Sequence, residues 1–160
     1  MVVAAHSQGS VLAAAAVLQL PPDSLAGASL LTFGSPLSRL YGRWFPAYFG
    51  PAQLDALRTA LGPGRWRNLY RPTDPIGGCV VEEGGTVDRR LPHDPWSFDR
   101  RPGQPTPDAI RGHSDYQHDA ACAEEVARLR PHRAASRASG LPGAAVPPGP
   151  VGAEAPRAPS

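Results

Sequence analysis

The chain has 160 residues, 41% of them hydrophobic and 19% charged, a composition that suits one globular domain and excludes a wholly disordered or a multidomain protein. Its formal charge of +2 arises from Arg133, Arg137 and Arg157 against Glu154, so residues 1–130 are neutral overall and imply neither nucleic acid nor another polyanion as partner. Twenty prolines and 17 glycines exceed the globular norm and mark some stretch as loop or linker.

Residues 2–5, Val-Val-Ala-Ala, read as a buried strand, and His6-Ser7-Gln8-Gly9-Ser10 as a tight turn. Good helix formers follow over 10–20 until Pro21-Pro22 stops them. The apolar part of that helix is too short to span a bilayer, and no arginine precedes Arg39, so it lacks the basic flank of a signal peptide. Residues 29–33 form the next extended run, closed by Gly34-Ser35-Pro36, which predicts a βαβ unit and a parallel sheet.

An aromatic loop holding Tyr41, Trp44, Phe45, Tyr48 and Phe49 comes next, suited to core packing or to acyl binding. Pro51 stands at a first helical position, and the helix runs to Leu61 before Gly62-Pro63-Gly64. A third strand is predicted over 66–70. Its Arg65-Trp66-Arg67-Asn68-Leu69-Tyr70-Arg71 context interleaves basic and aromatic residues as single-stranded nucleic-acid grooves can, but alternation in an ordinary strand explains it better. Val80-Val81 and Val87 flank a Gly-rich turn and predict a small hairpin. Residues 91–107 read as Pro-rich loop, and 115–130 as a last helix with an apolar stripe of Ala121, Cys122, Val126 and Leu129 and an exposed Glu124–Arg128 pair. Residues 131–160, rich in Pro, Ala and Gly and without an aromatic side chain, offer too little apolar surface to offset the entropy of ordering. The organisation is thus a folded domain over 1–130 and a disordered tail over 131–160. Cys79 and Cys122 have no metal-type spacing and read as buried free thiols.

Ala5-His6-Ser7-Gln8-Gly9 fits the small-x-Ser-x-Gly nucleophile elbow, in its required context of strand before and helix after. A turn sharp enough to present a serine Oγ at a strand end crowds the positions two before and two after it, which sterics reserve for residues such as Ala5 and Gly9. The helix directs its N-terminal N–H groups at the site, and the N–H of Gln8 is the natural oxyanion donor. A serine hydroxyl needs a base oriented by a carboxylate. Asp74, in Arg71-Pro72-Thr73-Asp74-Pro75-Ile76, lies just past the third strand and serves as that acid or as an ordinary turn residue; Asp88, Asp94 and Asp99 are substitutes. His113 stands before the last helix as the candidate base, with His93, His118 and His132 as rivals, while His6 faces away from the serine and packs structurally.

The motif order Ala5 to Ser10, Thr32-Phe33-Gly34-Ser35-Pro36, Asp74-Pro75-Ile76 and a late His113 resembles the class 3 lipase-type branch of the α/β-hydrolases, as in actinobacterial lipase-like proteins. The resemblance covers roughly residues 1–120 and implies the C-terminal part of an α/β-hydrolase three-layer sandwich with a mainly parallel sheet. It implies a Ser7-Asp74-His113 triad cleaving a small-molecule or lipid ester through an acyl-enzyme, with no metal or cofactor. In that family several strands, a lid and a second oxyanion donor precede the nucleophile, whereas Ser7 is the seventh residue here. On this reading the N-terminal strands are absent, and the chain is a fragment of a longer enzyme or starts from a misplaced initiation site. Membrane attachment would then come only through upstream segments, and the location is cytoplasmic if the chain starts at Met1. The strand over 2–5 becomes an exposed edge that favours self-association. The alternative function is a non-catalytic remnant that acts by associating with another chain.

Overall fold

A computed structural model of the chain describes residues 1–91 and 112–130. The candidates His93, Asp94, Asp99 and His132, the loop expected beyond Leu91 and the tail expected over 131–160 lie outside the described residues.

Strand β1 (Val2–His6) passes through Ser7 into helix α1 (Gln8–Gln19), and a 3-10 turn (Pro22–Leu25) leads to β2 (Ser29–Phe33). Helix α3 (Pro51–Leu61), preceded by the single-turn α2 (Pro46–Phe49), carries the chain to β3 (Trp66–Tyr70). With β4 (Asp88–Arg90) these make a four-stranded sheet in the order β1-β2-β3-β4, every adjacent pair parallel. Parallel neighbours require crossovers, and α1 and α3 supply the first two, which makes this an α/β fold.

Alternation along β2 and β3 sorts the core into two layers. Leu30 and Trp66 pack on one face with Val11 and Ala14 of α1 and Leu54, Leu57 and Leu61 of α3. Leu31, Phe33 and Leu69 pack on the other with Tyr116 and with Ala121, Cys122 and Leu129 of α4 (Ala120–Leu129). Burial on both faces is why 29–33 reads as an unbroken apolar run. A polar row crosses this core: Thr32, Asn68 and Asp88 are partners in register on β2, β3 and β4. Thr32 Oγ1 donates to Asn68 Oδ1 at 2.9 Å, Asn68 Nδ2 donates to Asp88 Oδ1 at 2.7 Å, and Trp66 Nε1 donates to Thr32 Oγ1 at 3.2 Å.

Five expectations need correction. No hairpin joins Val80-Val81 to Val87; the Asp88 carboxylate instead accepts the N–H groups of Val80, Val81 and Glu82 at 2.9–3.1 Å, and β4 joins β3 in parallel. A side chain satisfies donors that a strand partner would otherwise have taken, and the same bonds make Asp88 a structural carboxylate. The aromatic loop is helical, with a π-helical turn over Leu37–Gly42 followed by α2. Trp44, Phe45 and Tyr48 are exposed rather than core residues, while Phe49 packs against the core. The last helix does not begin at 115: Asp115 is left-handed, Tyr116–His118 is a 3-10 turn, and Asp119 caps α4 by accepting the N–H of Ala121. Cys122 is buried as expected, but Cys79 is only half-buried.

Glu124 pairs with Arg89 of β4 at 2.8 Å and not with Arg128. Glu125 is buried on α4 between Arg67 of β3 at 3.0 Å and Arg89 at 2.9 Å. Burial alone would raise its carboxyl pKa, but the hydrogen bonds from both guanidinium groups hold it below the ordinary value. Arg67 is thus committed to tying α4 to the sheet. Among the described residues no helix is long and apolar enough to cross a membrane.

Candidate active site

The parallel sheet brings the C-terminal ends of β1, β2 and β3 to one edge, where an open α/β sheet gathers its functional loops. Ser7 stands at the end of β1 with φ 52° and ψ −127°, a left-handed conformation for a residue that carries a Cβ. Such backbone costs on the order of 1–3 kcal/mol and persists only where the surroundings enforce it. Here the Ser7 N–H is bonded to the Phe33 carbonyl at 3.1 Å, extending the β1–β2 ladder, while α1 starts at the next residue. Ser10 adds a bridge, donating to the Ser7 carbonyl and lying 2.7 Å from Ser35 Oγ. Glycine adopts this conformation freely, whereas alanine, like serine, bears a Cβ that strains it. Ser7→Gly is therefore expected to be about 1 kcal/mol more stable than Ser7→Ala in urea unfolding; equal stabilities would mean that the turn is unstrained.

Three of the predicted residues meet. His113 Nε2 lies 2.8 Å from Ser7 Oγ, and His113 Nδ1 lies 3.0 Å from both carboxylate oxygens of Asp74. Asp74 is fully buried, in the loop after β3. Besides His113, its Oδ1 accepts the N–H groups of Ile76 and Gly77 at 2.8 Å each, and its Oδ2 accepts the Tyr116 hydroxyl at 2.9 Å. Burial opposes ionisation, but the Gly77 N–H, the His113 ring, the Ile76 N–H and the Tyr116 hydroxyl together hold the carboxyl below its ordinary pKa. The Tyr116 phenol is itself pushed well up by burial and by Asp74, so it stays protonated and donating at neutral pH.

The loop can sit this close because Gly77 has no side chain: a Cβ there would lie 2.5 Å from Asp74 Oδ2 and from the Gly34 backbone. Arg39, from the π-helical turn, fixes the same loop by donating to the Asp74 carbonyl at 2.6 Å. With Nδ1 facing a carboxylate, His113 carries its proton there and offers the Nε2 lone pair to Ser7.

Gln8 is the first residue of α1, whose opening N–H groups have no acceptor within the helix. Of the rival bases, His118 is exposed and paired with Asp115. His6 is part of the surroundings: its ring stacks on Phe33 at 5.4 Å and its Nε2 bonds the His113 carbonyl at 3.0 Å. A carbonyl only accepts, so Nε2 bears the His6 proton. Cys79 is no rival nucleophile, since burial and the neighbouring Asp88 push its thiol up to about 12. A cleft of about 330 Å³ lies between Gly42, Phe49, Leu54 and Val80, and its lining does not include Ser7, Asp74 or His113. Among the described residues no cluster of His, Cys, Asp or Glu could hold a metal ion.

Sequence reasoning did not single out Tyr116 or Arg39 as neighbours of Asp74. Neither carries a motif, and each reaches Asp74 from 35 or more residues away. Comparison with protein-family models, with curated proteins and with solved structures finds no match for this chain.

Proposed function

We propose that the chain carries the nucleophile, base and acid of a serine hydrolase of α/β-hydrolase type that cleaves a carboxylic ester. The observation that carries this reading is the continuous hydrogen-bonded line from Ser7 Oγ through His113 to Asp74, begun on a strained strand-to-helix turn. In the first half-reaction Ser7 Oγ attacks the ester carbonyl carbon while its proton passes to His113 Nε2. Asp74 stabilises the resulting imidazolium, and the Gln8 N–H faces the oxyanion. Collapse of the tetrahedral adduct breaks the carbon–oxygen bond, and His113 returns the proton to the departing alcohol, leaving an acyl group on Ser7. Water then attacks this acyl-enzyme with His113 again as base, releasing the acid and restoring Ser7. The lipase-like motif order and the parallel sheet support the class. A single oxyanion donor would leave the rate about 100- to 1,000-fold below that of a complete pair.

The test is covalent. Incubation with a fluorophosphonate followed by peptide mass mapping is expected to place one adduct on Ser7. No adduct, or an adduct confined to another residue, removes the proposal.

A second reading rests on β1, which pairs with β2 on one side and, among the described residues, stands at the end of the strand order on the other, with Val3 38% exposed. An open apolar edge supports self-association. A monomer at all concentrations in analytical ultracentrifugation would exclude it.

A further inference from the structure

We infer that Arg71 is the positioning residue that fixes the His113 loop against Asp74 and Ser7; its functional meaning rests on the hydrolase reading above. Arg71 follows β3 directly and is buried to 2% exposure. A buried guanidinium must spend its donors on the protein, and what it bonds therefore shows what it holds.

Its Nη1 donates to the Ser114 carbonyl at 2.5 Å and to the Gly112 carbonyl at 3.4 Å, the residues on either side of His113. The carbonyl between them, that of His113, accepts from His6 Nε2 at 3.0 Å. Three consecutive carbonyls of the base loop are thus held from β1 and from the end of β3. The loop needs holding, because Gly112 and Asp115 are both left-handed, at φ 52° and 58°.

Arg71 also reaches the acid. Its guanidinium lies over the Tyr116 ring, 4.2 Å from the centroid, and its backbone N–H donates at 2.9 Å to the Tyr116 hydroxyl that in turn donates to Asp74 Oδ2. Its Nη2 approaches Asp119, the cap of α4, at 3.4 Å. A merely structural arginine would tie α4 to the sheet through that carboxylate alone. The shortest side-chain bond of Arg71 goes instead to the carbonyl beside the base.

The experiment compares the native chain, Arg71→Met, Arg71→Lys and the exposed control Arg58→Met by two readouts. The first is the low-field proton resonance of the His113 Nδ1–H bond to Asp74, which needs no turnover. The second is phosphonylation of Ser7, resolved into reagent binding and bond formation. Arg71→Met is expected to melt cooperatively, to lose the resonance and to form the bond about 100-fold more slowly at unchanged reagent affinity. Arg71→Lys, with a donor but no fork, is expected to recover part of both, at about 10-fold below native. A folded Arg71→Met that keeps the resonance and the rate overturns the inference, as does Arg58→Met matching its losses. If Arg71→Met does not fold, an Arg71→Lys chain indistinguishable from native overturns it. Should the native chain resist phosphonylation altogether, the hydrolase reading fails, and the resonance still decides the role of Arg71.

Discussion

Ser7→Ala is expected to lower the hydrolysis of an activated ester such as p-nitrophenyl acetate by about 10⁶-fold, to the level that the remaining environment provides. Alanine keeps the Cβ and the turn but removes the one oxygen within 2.8 Å of His113 Nε2. What remains is a base without a nucleophile, able at most to activate water weakly. The hydrogen-bonded line also makes a second, stricter expectation. Residues that act as one unit do not contribute independently, so Ser7→Ala combined with Asp74→Asn should be no slower than Ser7→Ala alone. Losses that multiply in the double variant would show that Asp74 serves something other than Ser7.

Asp74→Asn alone is expected to cost about 10⁴-fold in the same assay, because an amide facing His113 favours the wrong tautomer. The geometry makes this site harsh on an amide. Asp74 accepts four hydrogen bonds, from Ile76, Gly77, Tyr116 and His113, and an asparagine would set its NH₂ against at least one of these donors. Leaving one such group unpaired costs about 1–3 kcal/mol, so the variant should also unfold at lower urea concentration. Its dependence on pH carries a sign. A carboxylate held below its unfolded pKa adds stability above that value, near 4, and the contribution disappears as pH falls through the folded pKa. The native chain should therefore lose more stability than Asp74→Asn does as pH falls below about 4, as parallel urea series would show.

The legible parts of the chain were those in which local sequence and tertiary placement agree. Residues 29–33 and 66–70 are strands with the predicted bounds, since each is a short apolar or alternating run bounded by glycine or proline. Ser7 stood out because a strand-to-helix turn with small flanking residues is a local pattern. Asp74 and His113 followed as expectations of chain order, and the structure brings them to Ser7. The parts that could not be read depend on side chains that travel far to satisfy backbone. Asp88 replaces a hairpin by accepting N–H groups six to eight residues away. Arg71 grips carbonyls 41 and 43 residues downstream, and no periodicity announces an arginine turned inward. The Glu124–Arg128 spacing is a local pattern, whereas the partner Glu124 takes is Arg89 of β4, 35 residues before it.

The polar row of Thr32, Asn68 and Asp88 bears on how the strands find their alignment. Apolar runs such as Leu30-Leu31 would bury almost as much surface if a neighbouring strand slid along them, so hydrophobic gain discriminates poorly between alignments. A slide of one position would bury the Asn68 amide, the Thr32 hydroxyl and the Asp88 carboxylate away from one another, at about 1–3 kcal/mol for each orphaned group. The row therefore penalises shifted alignments of β2, β3 and β4. It disfavours shifts of β2 against β3 and so sets the two strand ends that lead to Gly34 and to the Asp74 loop level with one another.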